Sequence, residues 1–389
     1  MRLRKIRKLL KRPAGSGDFS RHIDKYVAGN KLTLLSRGSE VFRSMWEAID
    51  SARETIHLET YILSSDRTGE EFARRLQAKA KSGVRVRLIF DSVGSLDVDF
   101  AYLARLQDAG VSLLEYHPVA PWRPRWSWGR RDHRKILVVD GRVAFTGGVN
   151  ISDRHAPLEE GGDDWRDAHV RLEGPAAWEL DRLIREVWFR ETGRWFACHG
   201  RPEEIRGRSR VWVAANQEFL RRYRIRSAYL RALRSAQKEV LIANAYFLPG
   251  LPIRSALAAA ARRGVSVNIL VQGRSDIPSV WRASRALYDR LLRRGVRLFA
   301  WPGPILHEKT AVVDGLWSAV GSYNMDHRSL LHNLEVNLHV LDAEFAAVLS
   351  AWIKEGIAQS PEITLEDWRR RPWGEKLLER ALYQFRYFF

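Results

Sequence analysis

The residues of this 389-residue sequence best suited to chemistry occur in two copies of one motif. Residues 133–150 read HRKILVVDGRVAFTGGVN and residues 307–324 read HEKTAVVDGLWSAVGSYN, so eight of the eighteen positions are identical. Displacement at a phosphodiester needs a nucleophile, a proton donor for the leaving alcohol, and cations or amides at the non-bridging oxygens. The two copies together supply these groups: His133, Lys135, Asn150, His307, Lys309 and Asn324.

The sequence does not favour a metal centre. A Lys stands two residues from each motif His and would repel a cation, and no Cys or paired His at ligand spacing completes a site. We therefore expect neither a metal nor a cofactor. The other histidines are expected to be ordinary core or surface residues, among them His57, His117, His155, His199 and His339.

Each motif predicts a β-hairpin that returns the Asn to the His. Residues two apart on a strand share a face, so the His and Lys of each copy should point the same way. Asp140-Gly141 and Asp314-Gly315 predict two-residue turns, and a second strand then runs back to Asn150 or Asn324. The turn position favours a structural role for Asp140 and Asp314, whose loss would still inactivate by displacing the Lys and Asn.

The repeat extends beyond the motifs and predicts the fold. SARETIHLETY (51–61) is similar to SAQKEVLIANAY (235–246), and each half continues as strand, helix, strand, helix, strand and motif hairpin. This order predicts an α/β protein of two pseudo-symmetric α/β sandwich halves. Pairing about a pseudo-two-fold axis would bring both motifs to one active site, so neither half should be active alone.

Domain boundaries are expected where the periodicity is interrupted. Residues 195–210 collect Gly, Pro and charge, so we place the end of the first half there. The expected segments are a basic N-terminal segment, a first half, a second half and a C-terminal amphipathic helix and tail, with the bounds 1–30, 31–205, 206–360 and 361–389.

The paired motifs resemble those of the phospholipase D superfamily, whose signature is HxKxxxxD followed by GGxN or GSxN. The second copy continues as GSYNMDHRSLLHNLE (321–335), which is similar to the bacterial cardiolipin synthases. ANAYFLPG (243–250) and VQGRSDIP (271–278) resemble most the B-type enzymes, which lack membrane-spanning helices. The resemblance covers roughly residues 30 to 360 and implies two phospholipase D-type halves that share one active site.

The resemblance also implies roles for individual residues. His133 would attack phosphorus to form a phosphohistidine, and His307 would protonate the leaving alcohol and then deprotonate the acceptor. A carboxylate should hold the second ring nitrogen of each His, and the family places these at Asp167, 34 residues after His133, and Glu335, 28 residues after His307. The expected phosphate clamp is Lys135, Asn150, Lys309 and Asn324, and the full expected catalytic set is His133, Lys135, Asp140, Asp167, His307, Lys309, Asp314 and Glu335.

Composition indicates an anionic partner and a reducing compartment. A formal charge of +19 fits acidic lipid or nucleic acid, and charge alone does not choose between them. The single Cys198 excludes an internal disulfide. No run approaches the ~20 apolar residues of a membrane-crossing helix, and residues 1–12 (MRLRKIRKLLKR) lack the apolar region of a secretory signal. Membrane contact is therefore expected to be peripheral.

Three segments are candidates for that contact. PWRPRWSWGRR (121–131) is an insertion just before His133, and its Trp122, Arg123, Arg125, Trp126 and Trp128 fit either a headgroup-depth loop or a loop packed on its own domain. Residues 1–12 fit a basic amphipathic segment on an anionic bilayer or an unstructured tail. The helix predicted after Trp373 has Leu377, Leu378, Ala381, Leu382 and Phe385 on one side. This apolar side fits packing on the core and contact with lipid equally well.

The sequence therefore predicts a cardiolipin synthase that moves a phosphatidyl group between two phosphatidylglycerol molecules and releases glycerol. Its expected partners are anionic phospholipids, phosphatidylglycerol and cardiolipin, at the cytoplasmic face of the bacterial inner membrane. The alternatives are a phospholipase D-type phosphodiesterase or nuclease, a transferase with another donor such as phosphatidylethanolamine, and a membrane adaptor without activity. Two intact motifs in one chain make nucleic acid the less expected substrate, because many nucleases of the superfamily carry one motif and dimerise.

Overall fold

The computed structural model describes residues 20–197, 199–216 and 223–388. The basic segment 1–12 and Cys198 lie outside these residues. Within the described ranges, no helix has the length and apolarity needed to cross a bilayer.

The first half contains seven strands and four α-helices when β8, which joins the two halves, is counted with the second. Its strands lie in one mixed sheet. Two of its helices have side-chain caps, since Asp66 and Asp99 accept hydrogen bonds from the N–H groups of the first turns of α2 and α3. The strands and helices in chain order are β1 (Val27–Leu35), α1 (Gly38–Ser51), β2 (Thr55–Thr60), α2 (Arg67–Lys81), β3 (Arg85–Asp91), α3 (Phe100–Asp108), β4 (Ser112–Tyr116), β5 (Ile136–Val139), β6 (Val143–Gly147), β7 (His169–Glu173) and α4 (Ala177–Thr192).

The second half repeats this order. After β8, the described chain again alternates strands and helices and ends in two C-terminal helices. Its elements are β8 (Ser209–Asn216), α5 (Arg224–Ser235), β9 (Glu239–Asn244), α6 (Leu251–Arg262), β10 (Ser266–Gln272), α7 (Pro278–Arg285), α8 (Tyr288–Leu292), β11 (Arg297–Trp301), β12 (Lys309–Val313), β13 (Trp317–Gly321), α9 (His327–Leu331), β14 (Glu335–Leu341), α10 (Ala343–Ala358), β15 (Glu362–Ile363), α11 (Leu365–Arg370) and α12 (Trp373–Gln384).

The strands form one continuous hydrogen-bonded series in which the two halves mirror each other. β1–β7 belong to the first half, seven strands in all, and β8, the eighth strand along the chain, begins the second. The order is β15-β11-β10-β9-β12-β13-β14-β8-β1-β7-β6-β5-β2-β3-β4, so β1 and β8 meet at the centre. In each half three parallel strands (β2, β3, β4 or β9, β10, β11) are followed by antiparallel partners that contain the motif hairpin. The expected α/β fold of two pseudo-symmetric halves is confirmed.

Apolar side chains form three cores, one in each half and one shared by the two halves. Two cores each belong to one half, as shown by Phe72 and Phe145 in the first and Trp317 in the second. The shared core combines both halves: Leu180 and Ile184 of α4 pack in the same cluster as residues of α10 and of both hairpins. Because burial of apolar surface is the main force that favours folding, this shared core fixes the two motifs relative to each other.

The motif hairpins have the expected turns. Asp140 and Gly141 have φ of 49° and 65°, and Asp314 and Gly315 have φ of 55° and 63°. Positive φ at both central residues is the geometry of a type I′ turn, which suits the twist of a hairpin. Val139 pairs with Val143 across the first turn, and the returning strand ends at Gly147, three residues before Asn150.

Candidate active site

The two motif histidines lie on opposite sides of one buried site, and each is held by a carboxylate from the other half. Glu335 lies 3.1 Å from His133 Nδ1 through either oxygen, and Asp167 Oδ2 lies 2.7 Å from His307 Nδ1. All four side chains are buried. The sequence places each carboxylate by its distance along the chain from the histidine of its own half. A pairing within each half is wrong, because each carboxylate contacts the histidine of the other half.

Two backbone bridges between the halves explain the exchange. Asp132 pairs with Leu334 and Arg166 pairs with Leu306, both in parallel orientation. The His133 N–H donates to the Leu334 carbonyl at 3.1 Å, and the His307 N–H donates to the Arg166 carbonyl at 2.7 Å. In each bridge a motif histidine is hydrogen-bonded to the residue just before its carboxylate partner in the other half.

Each motif lysine contacts the backbone of the histidine two residues before it. Lys135 Nζ donates to the His133 carbonyl at 2.7 Å, and Lys309 Nζ donates in the same way to the His307 carbonyl. Both side chains are almost completely buried. Burial lowers the pKa of Lys135 to about 7, and it also lowers the pKa of Lys309. Each ammonium group lowers the pKa of both imidazoles, so the lysines of the two halves act on one shared site.

The motif asparagines have amide groups available to a ligand. Asn150 Oδ1 accepts a hydrogen bond from the Ile62 N–H at 3.1 Å, while its buried Nδ2 has no partner among the described residues. Asn324 is buried as well, and its Oδ1 is likewise unpartnered within the described part of the chain. Buried polar atoms are normally hydrogen-bonded, so unpaired amides beside two lysines indicate a place for a polar ligand.

The electrostatics favour neutral imidazoles when the site holds no anion. Burial, followed by the nearby ammonium groups of Lys135 and Lys309, holds the pKa of His133 and of His307 well below the usual value. Burial raises the pKa of Glu335 to about 7 and raises that of Asp167. A bound phosphodiester anion would oppose all the shifts on the cationic groups, because a negative charge stabilises their protonated forms.

Glu335 is held by two side chains of its own half, one on each side of Asn324 in the sequence. Ser322 Oγ donates to Glu335 Oε2 at 2.5 Å and Asn333 Nδ2 donates to Glu335 Oε1 at 3.2 Å. The first half lacks these donors. Gly148 occupies the position of Ser322, and a Cβ there would lie 2.1 Å from Asp167 Oδ1, so this glycine makes room for the carboxylate.

Asp140 and Asp314 lie at the turns of the motif hairpins. Asp140 accepts hydrogen bonds from the N–H groups of Arg53, Glu54 and Thr55 at 2.8–2.9 Å, at the start of β2. Asp314 accepts equivalent bonds from Gln237, Lys238 and Glu239 at the start of β9. They lie at the far end of each hairpin, and these contacts agree with the turn-holding role that the sequence favoured for them. Their inclusion in the catalytic set stays a prediction.

Sequence reasoning missed His155 as a site residue. It is buried, its Nδ1 lies 3.9 Å from Asp167 Oδ2, and its ring centroid lies 5.6 Å from that of His307. Trp165 also borders the site, with its ring centroid 5.3 Å from His307. The signal available in the sequence was position, because His155 follows Asn150 by five residues.

Two tyrosines at equivalent strand ends border the histidines. Tyr61 is 4.9 Å from His133 between ring centroids, and Tyr246 is 6.5 Å from His307. Tyr246 also donates its hydroxyl to Asp276 at 2.7 Å. Both tyrosines therefore border the site.

One group of residues could offer ligands to a metal. Within the described ranges, His155, Asp167 and His307 have ligand atoms within 4.8 Å of one another. The Lys309 side chain lies close enough to act on both histidines, and its positive charge would oppose a bound cation. The expectation that the site works without a metal remains a prediction.

The Trp-rich insertion is a loop between β4 and His133. Trp122 and Trp128 are exposed to 84% and 68%, while Trp126 donates its indole N–H to the Val119 carbonyl at 3.1 Å. The two arginines are paired within the protein, Arg123 with Glu115 at 2.6 Å and Arg125 with Glu191 at 3.6 Å. Exposed indoles on an otherwise tethered loop are therefore the part available to a partner.

Comparisons with known proteins agree with this geometry. A family model described as "Cardiolipin synthase, PLD-like domain" matches residues 45–162 and 229–356. The chain is 38% identical over 333 residues to cardiolipin synthase B of Shigella flexneri, covering 82% of this chain and 79% of that protein. It is 33% identical over 350 residues to cardiolipin synthase of Geobacillus sp. (strain WCH70), covering 89% and 70%.

A solved structure shares the fold. The crystal structure of phosphatidylserine synthase from Haemophilus influenzae Rd KW20 superposes with a TM-score of 0.67 at 14% sequence identity. The match covers 94% of this chain and 97% of that one. Both halves therefore have counterparts in a single known architecture.

Proposed function

Because this chain belongs to the cardiolipin synthase family of phospholipase D-like proteins, we propose that it transfers a phosphatidyl group from one phosphatidylglycerol to another and releases glycerol. The arrangement that best supports this is the crossed pair of histidine–carboxylate contacts around one set of lysines and asparagines. Transfer exchanges one phosphodiester for another, so the reaction needs no nucleotide.

In the first step, neutral His133 attacks phosphorus through Nε2. The P–N bond forms as the bond to the glycerol oxygen breaks, and His307 gives its proton to that oxygen. Glu335 stabilises the positive charge that develops on the His133 ring, since it contacts the opposite nitrogen. Lys135, Lys309, Asn150 and Asn324 hold the non-bridging oxygens.

In the second step, the hydroxyl of another phosphatidylglycerol enters on the side from which glycerol left. Neutral His307 takes its proton, the new P–O bond forms, and the P–N bond to His133 breaks. Asp167 holds His307 in one orientation through both steps, because its 2.7 Å contact to Nδ1 leaves Nε2 facing the ligand. The protein returns to its starting protonation state.

The low pKa values of the histidines fit this cycle. Before substrate arrives, a neutral His133 is the form that can act as a nucleophile. The phosphodiester brings a negative charge between Lys135 and Lys309, and this favours protonation of His307, the form that donates to the leaving group. Substrate binding and acid activation are thus coupled through charge.

The experiment is incubation of the protein with phosphatidylglycerol vesicles, followed by mass spectrometry for cardiolipin and an assay for glycerol. Equal amounts of the two products are expected, and His133→Ala and His307→Ala should each abolish them. Labelled oligonucleotide and phosphatidylethanolamine vesicles in parallel test the other substrates. Turnover of oligonucleotide without cardiolipin formation would overturn the proposal.

The proposed location is the cytoplasmic face of the bacterial inner membrane, with the protein bound peripherally. Exposed Trp122 and Trp128 support this because indole rings favour the depth of lipid headgroups. Their loop leads directly into His133, so contact there would bring the site to its lipid substrate. Trp122→Ser with Trp128→Ser should weaken binding to phosphatidylglycerol vesicles in sedimentation assays.

A further inference from the structure

The last long helix, α12, is docked on the protein through a carboxylate. Glu379 is its one fully buried residue. It accepts hydrogen bonds from Arg285 of α7 at 2.6 Å and from Arg371 at 2.6 and 3.1 Å. A surface helix usually turns its apolar side toward the core and its charges toward water. The burial of an ion-paired carboxylate here means that the opposite side of α12 faces outward.

That outward side is apolar. Trp373, Leu377, Ala381 and Phe385 follow one another at intervals of four residues, so they form a line along the helix. Trp373, Leu377 and Phe385 are exposed to 78%, 59% and 57%, and Leu378 beside them is also exposed. Leu382, which the sequence grouped with them, instead packs against the core of the second half. We call Trp373, Leu377, Leu378, Ala381 and Phe385 the C-terminal stripe.

A basic groove lies between α12 and the helices it packs on, and Lys376 and Arg380, three residues after Trp373 and Leu377, line its edge next to the C-terminal stripe. It is lined by six basic side chains and two acidic ones, the acidic ones being Asp289 and Glu379. Glu379 is already paired with two arginines, and Asp289 lies 2.9 Å from Arg293. The groove therefore keeps a positive charge next to the apolar line, in a chain whose formal charge is +19.

A short series of contacts connects α12 to the active site. α12 packs on α7, which follows the end of β10, where Gln272 Nε2 donates to the Leu306 carbonyl next to His307. Beyond the helix, the Tyr387 ring lies 4.6 Å from that of His327, three residues after Asn324. The chain end thus approaches the second motif.

From these features we propose that the C-terminal stripe lies in the headgroup and acyl boundary of an anionic bilayer, with the basic groove taking lipid phosphates. An amphipathic helix with apolar residues on one side and basic residues along its flank binds such a surface in the plane of the membrane. The proposal depends on the proposed function only for the identity of the lipid. The contact would orient the second motif toward the membrane.

The test compares binding of three variants to sedimented phosphatidylglycerol vesicles. Leu377→Gln with Phe385→Gln removes apolar surface that the fold does not bury, and we expect a loss of affinity of about tenfold or more at any salt concentration. Arg380→Glu should weaken binding mainly at low salt, because it reverses a charge in the groove. Val348→Gln is the matched control, since Val348 is exposed to 56% on α10, and it should bind as the parent does.

Two further measurements separate this inference from the proposed function. Transfer on monomeric short-chain phosphatidylglycerol should be unchanged in the stripe variant, while transfer on vesicles falls with binding. Failure of the parent protein to transfer either lipid would refute the proposed function and leave the binding comparison valid. Unchanged vesicle binding by the stripe variant would overturn the inference. A parent dimer in light scattering that the stripe variant converts to a monomer would also overturn it, by assigning the stripe to a second copy.

Discussion

The exchange of carboxylates between the halves leads to the most specific prediction. Asp167→Asn should produce the same kinetic defect as a change at His307, although Asp167 belongs to the half that contains His133. Glu335→Gln should in turn produce the defect of a change at His133. Both substitutions keep the size of the side chain and remove its charge, so the backbone bridges between the halves should persist.

The size of each defect follows from the contact that is lost. A hydrogen bond to a charged group contributes about 1.5–3 kcal/mol. If the contact acts only in the transition state, this corresponds to a fall in kcat of about 10- to 150-fold. The Asp167 contact, at 2.7 Å, is shorter than the two 3.1 Å contacts of Glu335, so Asp167→Asn should lie toward the upper end of that range.

A donor with a p-nitrophenyl group in place of glycerol distinguishes the two defects. Its leaving group needs no proton, so the first step depends on the nucleophile and not on the acid. Asp167→Asn and His307→Ala should therefore still release a burst of p-nitrophenol and accumulate the phosphohistidine form, detectable as an added phosphatidyl mass. Glu335→Gln and His133→Ala should show neither.

The comparison with histidine variants makes the test independent of which histidine is the nucleophile. If Asp167→Asn matched the profile of His133→Ala, the crossed pairing would be refuted. The same conclusion would follow if both carboxylate variants retained full turnover of phosphatidylglycerol.

Three other predictions follow from the site and its support. Gly148→Ala should reduce the rate of transfer at least tenfold, since its Cβ would lie 2.1 Å from the Asp167 carboxylate that contacts His307. Ser322→Ala removes only one hydrogen bond to Glu335, so it should reduce the rate less in the same steady-state assay. Affinity for a soluble phosphodiester should be full below pH 7 and fall by up to about tenfold per pH unit above it, because a bound anion raises the pKa of Lys135 above its value of about 7 in the unliganded protein. Calorimetry in two buffers should show that binding takes up protons. An affinity that does not change with pH would contradict this prediction. Arg166→Met should lower the free energy of unfolding by about 3–5 kcal/mol in denaturant titrations at pH 8. The substitution removes the guanidinium that lies 2.8 Å from Glu308 and leaves that carboxylate buried without a partner. The double variant that also carries Glu308→Gln should recover much of the lost stability.

The sequence predicted the architecture and the central residues of the site because a duplication makes both visible. The same His, Lys and Asn at the same offsets in each half determine a shared site, and the Asp-Gly pairs determine the hairpins that return Asn150 and Asn324 to it. The strand and helix order was equally clear, since the motif strands β5 (ILVV) and β12 (KTAVV) are short, largely apolar runs that end at Asp-Gly turns.

The remaining features depend on contacts between distant parts of the chain. Spacing along a sequence measures separation within one half, so it could not show that Glu335 reaches His133 across the interface. Nor could composition distinguish His155, beside Asp167, from the other histidines. The orientation of α12 was ambiguous for a related reason: the side that contacts the protein is decided by Arg285, a partner about ninety residues away.

The crossed contacts also affect when the protein becomes reactive during its synthesis. A ribosome that has translated the whole first half has made His133, but the carboxylate that holds this ring is residue 335. For His307 the order is reversed, since its partner Asp167 has already been translated when His307 is added. A nascent chain that has not reached residue 335 therefore lacks the carboxylate that contacts His133, and the crossed contacts form only after both motifs have been translated.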